Sequence, residues 1–189
     1  MNIFAVHSNP IISAQQLPDK LMSKMILESA QMLSTAHRIL DGDDNANALG
    51  MYKCTHTYHP CSVWVRECEA NYTWLWIHFD ALCQEYSRRY GRTHLTETKL
   101  NRVLMTPPSN IAPSKPSVYC PSTNALTRGT TPFAQAMPEH YRSDDPHASY
   151  RAFMQGTKHY AVWAKDPSRR PSWWVHVPTK AEAEANLAA

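Results

Sequence analysis

Residues 15–42 read QQLPDKLMSKMILESAQMLSTAHRILDG, and this stretch decides the fold. Leu17, Leu21, Met25, Met32 and Leu33 recur at helical spacings along one side, which predicts a long amphipathic helix from about Gln15 to Leu40. Asp41-Gly42-Asp43-Asp44-Asn45 then supplies stop signals, with Gly42 as a natural left-handed cap. The helix carries a second, polar edge. Lys20, Lys24, Glu28, Gln31 and Thr35 follow one another at spacings of four, four, three and four, so they line up along one side. That edge is either an ordinary solvated face or the wall of a cleft. Met22, Met25, Ile26 and Leu27 leave the helix apolar enough to be buried on more than one side. In a cleft, a carboxylate between lysines is held ionised and can serve as a general base or stabilise a developing cation. A lysine beside another cation becomes a better amine nucleophile.

Working outward, residues 2–7 (NIFAVH) are too few to separate a buried strand from an extended lead-in. On the other side a loop runs from Gly50 to Pro60. A second helical region is expected over Ser62–Tyr90, in two pieces with a weak point near Asn71-Tyr72-Thr73. Trp64, Cys68, Leu75, Phe79, Leu82, Tyr86 and Tyr90 form its apolar stripe, and Gly91 ends it. A shorter helix is expected over Glu97–Leu104 with Thr96 as cap. Prolines crowd residues 106–143 without sustained periodicity, which reads as an irregular arm wrapping the helices. Asp144 or Asp145 before Pro146 starts a last helix reaching about Trp163, with Tyr150, Phe153, Tyr160 and Trp163 turned inward and Gly156 a weak point. The ending TKAEAEANLAA offers no core residue beyond Leu187 and is expected to fray.

The expected fold class is therefore mainly α: a compact helical domain with a long proline-rich irregular arm. It comprises a helical front (1–105), the arm (106–143), and a C-terminal helix with an aromatic–basic segment (144–176), followed by a frayed tail (177–189). With 189 residues and 43% hydrophobic content, one domain can bury its own core. Five glycines are few for an all-β fold rich in tight turns. No run of apolar residues is long enough to span a membrane, and MNIFAVHSNP lacks the basic start and apolar stretch of a signal peptide. A cytoplasmic location is expected, where five cysteines read as free thiols. A net charge of +3 is compatible with a local basic face without requiring one.

Three constellations carry possible chemistry besides the polar edge. YKCTHTYHPC (52–61) gathers Cys54, His56, His59 and Cys61, but these are too closely spaced for a familiar zinc site, where ligand pairs are separated by a longer stretch. The alternatives are a tight turn in which His59 and Pro60 lock the start of the second helix, and an active-site role for His56 or His59 without metal. The second helix offers Arg66, Glu67, Asn71 and Trp74, then Arg88, Arg89, Arg92 and His94 near its end, where cations also complement the helix dipole. Lys165, Arg169 and Arg170 alternate with Trp163, Trp173 and Trp174; this suits a phosphate backbone with unstacked bases, or else the tryptophans are packing anchors. There is no phosphate-binding glycine loop, no G-x-S-x-G, no H-E-x-x-H and no paired C-x-x-C.

Taken in order, MNIF…H, a long helix with Lys20 eight residues before Glu28, YK..H..HP, a second helix and the basic exit EYSRRYGR resemble the pyrimidine-dimer DNA glycosylases of the phage endonuclease V type and their bacterial relatives. The chain is also similar to an uncharacterised family of small phage proteins, through Asp19-Lys20, Lys24–Gln31 (KMILESAQ) and Pro132–Pro138 (PFAQAMP). The glycosylase resemblance covers roughly residues 1–95 and implies a compact, helical, metal-independent enzyme that flips a nucleotide out of the duplex. It implies an amine nucleophile, typically the chain's own N-terminus, which attacks the sugar C1′ to form a Schiff base, and a helix-borne glutamate that assists strand cleavage. Carried over, that glutamate is Glu28, the amine is that of Met1, and Lys20 and Lys24 hold phosphates. Asn2 replaces the small residue that lets the initiator methionine be removed, so the amine is expected one residue further out. Lysines stand where the family has arginines, and a lysine does not reproduce the arginine fork.

The expected function is a phage-type enzyme acting on DNA or nucleotide bases, with no cofactor and no metal, and with DNA or a nucleotide as partner. Glu28, Met1, Lys20, Lys24 and His59 form the expected catalytic set. His56, Arg66, Asn71, Arg89, Lys165, Arg169, Arg170 and Trp173 form the expected nucleic-acid surface. Two alternatives stay open: a non-catalytic interaction protein with a protein partner, and a metal-dependent nucleotide hydrolase built on His56, His59 and nearby acids.

Overall fold

A proline sets the boundary that matters most. Pro18 holds an extended backbone at ψ 158°, so the long helix α2 begins at Asp19 and runs to Asp41 instead of starting near Gln15. The residues before it fold separately as α1 (Pro10–Gln15), a short helix that the sequence reading did not separate. Its signals are nevertheless local: Pro10 occupies the first turn, and the Asn9 side chain accepts the N–H groups of Ile11 and Ile12 at 2.9 and 3.3 Å.

The computed structural model describes residues 1–120, 125, 126 and 128–175. After α2 come α3 (Asp43–Ala48), α4 (Pro60–Val65), α5 (Glu69–Tyr90) and α6 (Leu95–Leu104). The arm then holds β1 (Tyr119–Cys120) paired antiparallel with β2 (Ala125–Leu126), Tyr119 standing opposite Leu126, and a 3-10 turn at Glu139–Tyr141. The last helix, α7 (Pro146–Thr157), precedes a second 3-10 turn at Pro167–Arg169. The mainly α class holds. Among the described residues no helix is long and apolar enough to cross a membrane.

α2 and α5 pack together, with α1, α4 and α6 against one or both of them. Met22, Met25, Ile26, Met32 and Leu33 of α2 and Tyr72, Leu75, Phe79 and Leu82 of α5 are fully buried. Each such side chain contributes about 1.5–3 kcal/mol through the area it removes from water. Leu27, by contrast, is 39% exposed, so α2 is buried on most sides but not all. A polar pin crosses the same layer: the Tyr72 hydroxyl donates to Leu104 O at 2.9 Å and lies 2.9 Å from His37 Nε2, tying α2, α5 and α6 together.

Several boundaries differ from expectation. The break between α4 and α5 falls at Arg66–Cys68, not near Asn71–Thr73, because Cys68 adopts an extended backbone and Asn71 stays helical. The cap of α6 is His94, whose Nδ1 accepts the Thr96 N–H, not Thr96 itself. α7 is capped by Asp145 as expected but stops at Thr157 instead of Trp163. Tyr160 is consequently 43% exposed, whereas Trp163 is turned inward. Gly156 is a place of close approach and not a weak point, since the Tyr141 ring leaves no room for a Cβ there. Gly91 ends α5 in the left-handed conformation, while Gly42, at φ 92° and ψ 167°, takes a positive φ outside that region. Cys54, Cys61, Cys68 and Cys83 are free thiols. The expected frayed tail lies outside the described residues.

Candidate active site

The polar edge of α2 runs from solvent into the protein. Lys20 is exposed and Lys24 is 66% exposed, but the Glu28 side chain is only 13% exposed and Thr35 is fully buried. Glu28 is where the edge turns into a site. Its Oε2 accepts the Asn2 backbone N–H at 2.9 Å and lies 3.9 Å from the Met1 α-amine; its Oε1 lies 3.7 Å from Lys24 Nζ. One largely sheltered carboxylate thus meets an α-amine and the ammonium of a solvent-exposed lysine.

The start of the chain is held there by more than this one contact. Ile3, Phe4, Ala5 and Val6 are buried in a lead-in that is neither a strand nor fully extended, since the Val6 N–H turns back to Phe4 O at 2.7 Å. Asn2 Nδ2 donates to Ala136 O at 2.9 Å, and Asn2 Oδ1 accepts the N–H groups of Ile3 and Phe4. His147 Nδ1 lies 2.7 Å from Ala5 O, an acceptor only, so the ring carries its proton on Nδ1. Phe4 adopts φ 43°, a conformation that costs a non-glycine residue about 1–2 kcal/mol and persists because these ties enforce it. The arm therefore contributes Ala136, from the PFAQAMP stretch, and α7 contributes His147. Neither was among the expected site residues.

The deep end of the polar edge positions the histidine turn. Thr35 Oγ1 accepts the Thr55 N–H at 3.3 Å, and Arg38 donates to the carbonyls of Met51 and Tyr52 at 3.0 and 2.6 Å. His59 caps α4 through Nδ1, which accepts the Cys61 N–H at 3.2 Å, with Pro60 in the first turn. The tight-turn reading of this segment is therefore realised. The turn also brings His59 within electrostatic reach of the site. Burial lowers its pKa, and the α-amine and His56 push the same way against an opposing pull from Glu28. The charged form of His59 is thus disfavoured, within electrostatic reach of the α-amine. The buried Cys61 thiol, pushed up to about 11 by burial, is no competing nucleophile. Among the described residues no group of three or more His, Cys, Asp or Glu side chains is placed to hold a metal ion, so Cys54, His56, His59 and Cys61 do not converge as ligands.

Of the expected nucleic-acid residues, two are buried inside the fold, Asn71 and Arg89, and two more, Arg66 and Arg169, are partly exposed but already hydrogen-bonded to it. Asn71 is fully buried: its Nδ2 donates to Trp64 O and Thr131 Oγ1, closing the end of α4, and its Oδ1 accepts the Thr131 N–H. Arg89 is buried as well, donating to the carbonyls of Gln15 and Leu17 and to Asp19 and Glu85. Arg169 reaches the same Glu85 at 2.6 Å, balancing a buried carboxylate. Arg66 spends one guanidinium nitrogen on Thr57 O and Ser62 O. Presenting Asn71 or Arg89 to DNA would leave buried partners unpaired, whereas Arg66 keeps its second guanidinium nitrogen and Nε outside these bonds. Trp173 is half-buried with its N–H donated to Gln16 Oε1, beside the buried Trp163 and Trp174, so the tryptophans are packing anchors. His56, Lys165 and Arg170 remain exposed.

The family described as pyrimidine dimer DNA glycosylase matches residues 1–98. The chain belongs to the pyrimidine dimer DNA glycosylase family. The match spans α1 to α5 and the start of α6, and so contains Met1, Glu28, His56 and His59. No curated protein and no solved structure matches the chain. For this pyrimidine dimer DNA glycosylase family member, the arm and α7 lie outside the matched residues, yet they supply Ala136 and His147 to hold the N-terminus in place.

Proposed function

We propose that the protein is a metal-independent DNA glycosylase with associated strand-cleaving activity, using its N-terminal α-amine as nucleophile and Glu28 as the proton-transfer group. Family membership makes DNA glycosylase chemistry the functional class. The observation that carries the finer reading is the approach of Glu28 Oε2 to the backbone nitrogens of residues 1 and 2, at 3.9 and 2.9 Å. α-Amines as a class titrate more than two units below lysine side chains, which favours them as free-base nucleophiles near neutral pH.

In this reading a target nucleotide leaves the helix at a cost of a few kcal/mol, least where the base is damaged. The amine lone pair attacks C1′, the C1′–N bond breaks with its electron pair going to the base, and the base takes a proton from solvent water. The nitrogen gives one proton to Glu28. Opening of the C1′–O4′ bond, with that proton passed to O4′, leaves a protonated Schiff base. Glu28, again a carboxylate, takes a proton from C2′, and the electron pair expels the 3′ phosphate through the C3′–O bond. Water then hydrolyses the imine and restores the amine. His59, its charged form disfavoured, contributes a hydrogen-bonding imidazole without adding a competing positive charge.

Borohydride reduces a Schiff base to a stable amine and so traps the intermediate. Incubation with a duplex carrying a cyclobutane pyrimidine dimer should yield a covalent protein–DNA adduct, and Glu28→Gln should lose strand cleavage. Absence of an adduct on both dimer-bearing and abasic duplexes overturns the proposal.

A further inference from the structure

Beyond Thr157 the chain turns and lies along the opening turns of α2. The Asp19 N–H donates to Val162 O at 2.9 Å, and the Lys165 N–H donates to Asp19 Oδ2 at 2.9 Å. Lys20 Nζ stands 5.4 Å over the exposed Tyr160 ring. Lys158, at the end of α7, sets its Nζ 5.6 Å over the Phe4 ring and 5.3 Å over the Phe153 ring, which stack on each other at 6.1 Å. Its ammonium is thereby oriented by the N-terminal segment that also presents the α-amine.

The charges in this corner are not balanced. No ion pair among the described residues includes Lys158 or Lys20, and the one carboxylate meeting Lys24 is Glu28, already shared with the α-amine. Lys158 is half-buried, and its pKa is lowered first by burial and then by the positive charge of Lys24. A partly desolvated ammonium beside a like charge, without a carboxylate, is stabilised when an anion arrives. Aromatic faces hold such a cation in place without neutralising it. A compact ammonium suits a phosphate as a point charge.

We propose that Lys158, with Lys24 and Lys20, forms a seat for a backbone phosphate of the bound DNA strand beside Glu28, so that a residue from outside the family-matched segment completes the site. This rests on the glycosylase reading, which supplies the DNA. Lys158 is a positioning residue: it fixes where the sugar lies relative to the amine.

The test compares wild type, Lys158→Gln and Lys158→Arg in anisotropy titrations against a duplex with a tetrahydrofuran abasic analogue, from about 50 to 200 mM KCl. Each phosphate neutralised by a lysine adds about 0.9 to the slope of log affinity against log salt. Lys158→Gln should therefore bind more weakly with a slope shallower by about 0.9, while Lys158→Arg keeps the wild-type slope. At saturating protein, Lys158→Gln should still form the borohydride adduct on a true abasic duplex, but more slowly than wild type, because the sugar is less well placed, whereas Lys158→Arg should recover part of the rate. An unchanged slope in Lys158→Gln overturns the seat. So does a trapped wild-type adduct that maps to the Lys158 side chain, since it would make Lys158 the reacting amine. If wild type binds but traps nothing, the glycosylase reading fails while the slope comparison still decides the seat. Failure of wild type to bind any duplex overturns both.

Discussion

Asn2 and Glu28, twenty-six residues apart, are joined by a 2.9 Å hydrogen bond from a backbone N–H to a carboxylate oxygen. This bond brings the first residues of the chain onto the one sheltered carboxylate of the α2 polar edge. Replacing Glu28 by Gln keeps an acceptor oxygen but removes the proton-accepting charge. Strand cleavage should slow by about 10²–10⁴-fold, the usual worth of a positioned acid–base group, while duplex binding persists. Gel-based cleavage assays check this, and an unaltered rate would remove Glu28 from the mechanism.

Asn2 ties the lead-in to the arm through Ala136 O and satisfies the N–H groups of Ile3 and Phe4. Asn2→Ala leaves those buried groups without their partner and should cost about 1–3 kcal/mol in urea unfolding. Turnover should fall more than affinity, because the amine loses its fixed position while the DNA-binding surface stays. Single-turnover kinetics separate the two, and an unchanged turnover would show that the ties around Asn2 do not position the site.

Arg89 is the buried hub between α1, the start of α2 and the segment carrying Arg169. Arg89→Met should destabilise the protein by about 3–5 kcal/mol by leaving the Asp19 and Glu85 carboxylates underpaired. DNA binding measured well below the unfolding midpoint should be retained. A selective loss of binding with normal stability would restore Arg89 to the nucleic-acid surface.

His78 is fully buried, stacked on Trp74, with neither ring nitrogen hydrogen-bonded, and burial lowers its pKa to about 3. The unfolded chain binds a proton on this histidine near pH 6.5, whereas the folded chain does not until about pH 3. Stability therefore rises with pH through this window and is lost as pH falls from 6.5 toward 3. At a pH roughly two units below the unfolded pKa the loss reaches about 2–3 kcal/mol. His78→Phe should flatten the fall in urea midpoint between neutral and acid pH. An equally steep fall in the variant would assign the acid sensitivity to other groups.

The parts of this protein legible in its sequence are those governed by local periodicity. The stripe from Trp64 to Tyr86 and the apolar side of α2 are buried as their spacing required. The polar edge from Lys20 to Thr35 likewise follows from helical geometry alone. Pro18 is the local signal for the true start of α2, and the continuous apolar pattern around it masks that signal. What spacing does not encode is depth: Arg89 and Arg92 both sit near the end of α5, yet one is buried among carbonyls and carboxylates and the other is exposed. Nor does it encode long-range pairing. Nothing local at Ala136, His147 or Lys158 marks them as neighbours of the N-terminus, since each meets it through contacts more than a hundred residues apart in the chain.

The central claim is that the chain's own α-amine, held against Glu28, is the group that reacts. Its most direct test is mass-spectrometric mapping of the borohydride-trapped adduct after proteolysis. The account expects the sugar remnant on the α-nitrogen of the N-terminal peptide, and expects a protein with residues added ahead of that terminus to trap nothing. An adduct on a lysine side chain, or undiminished trapping by the extended protein, would contradict it.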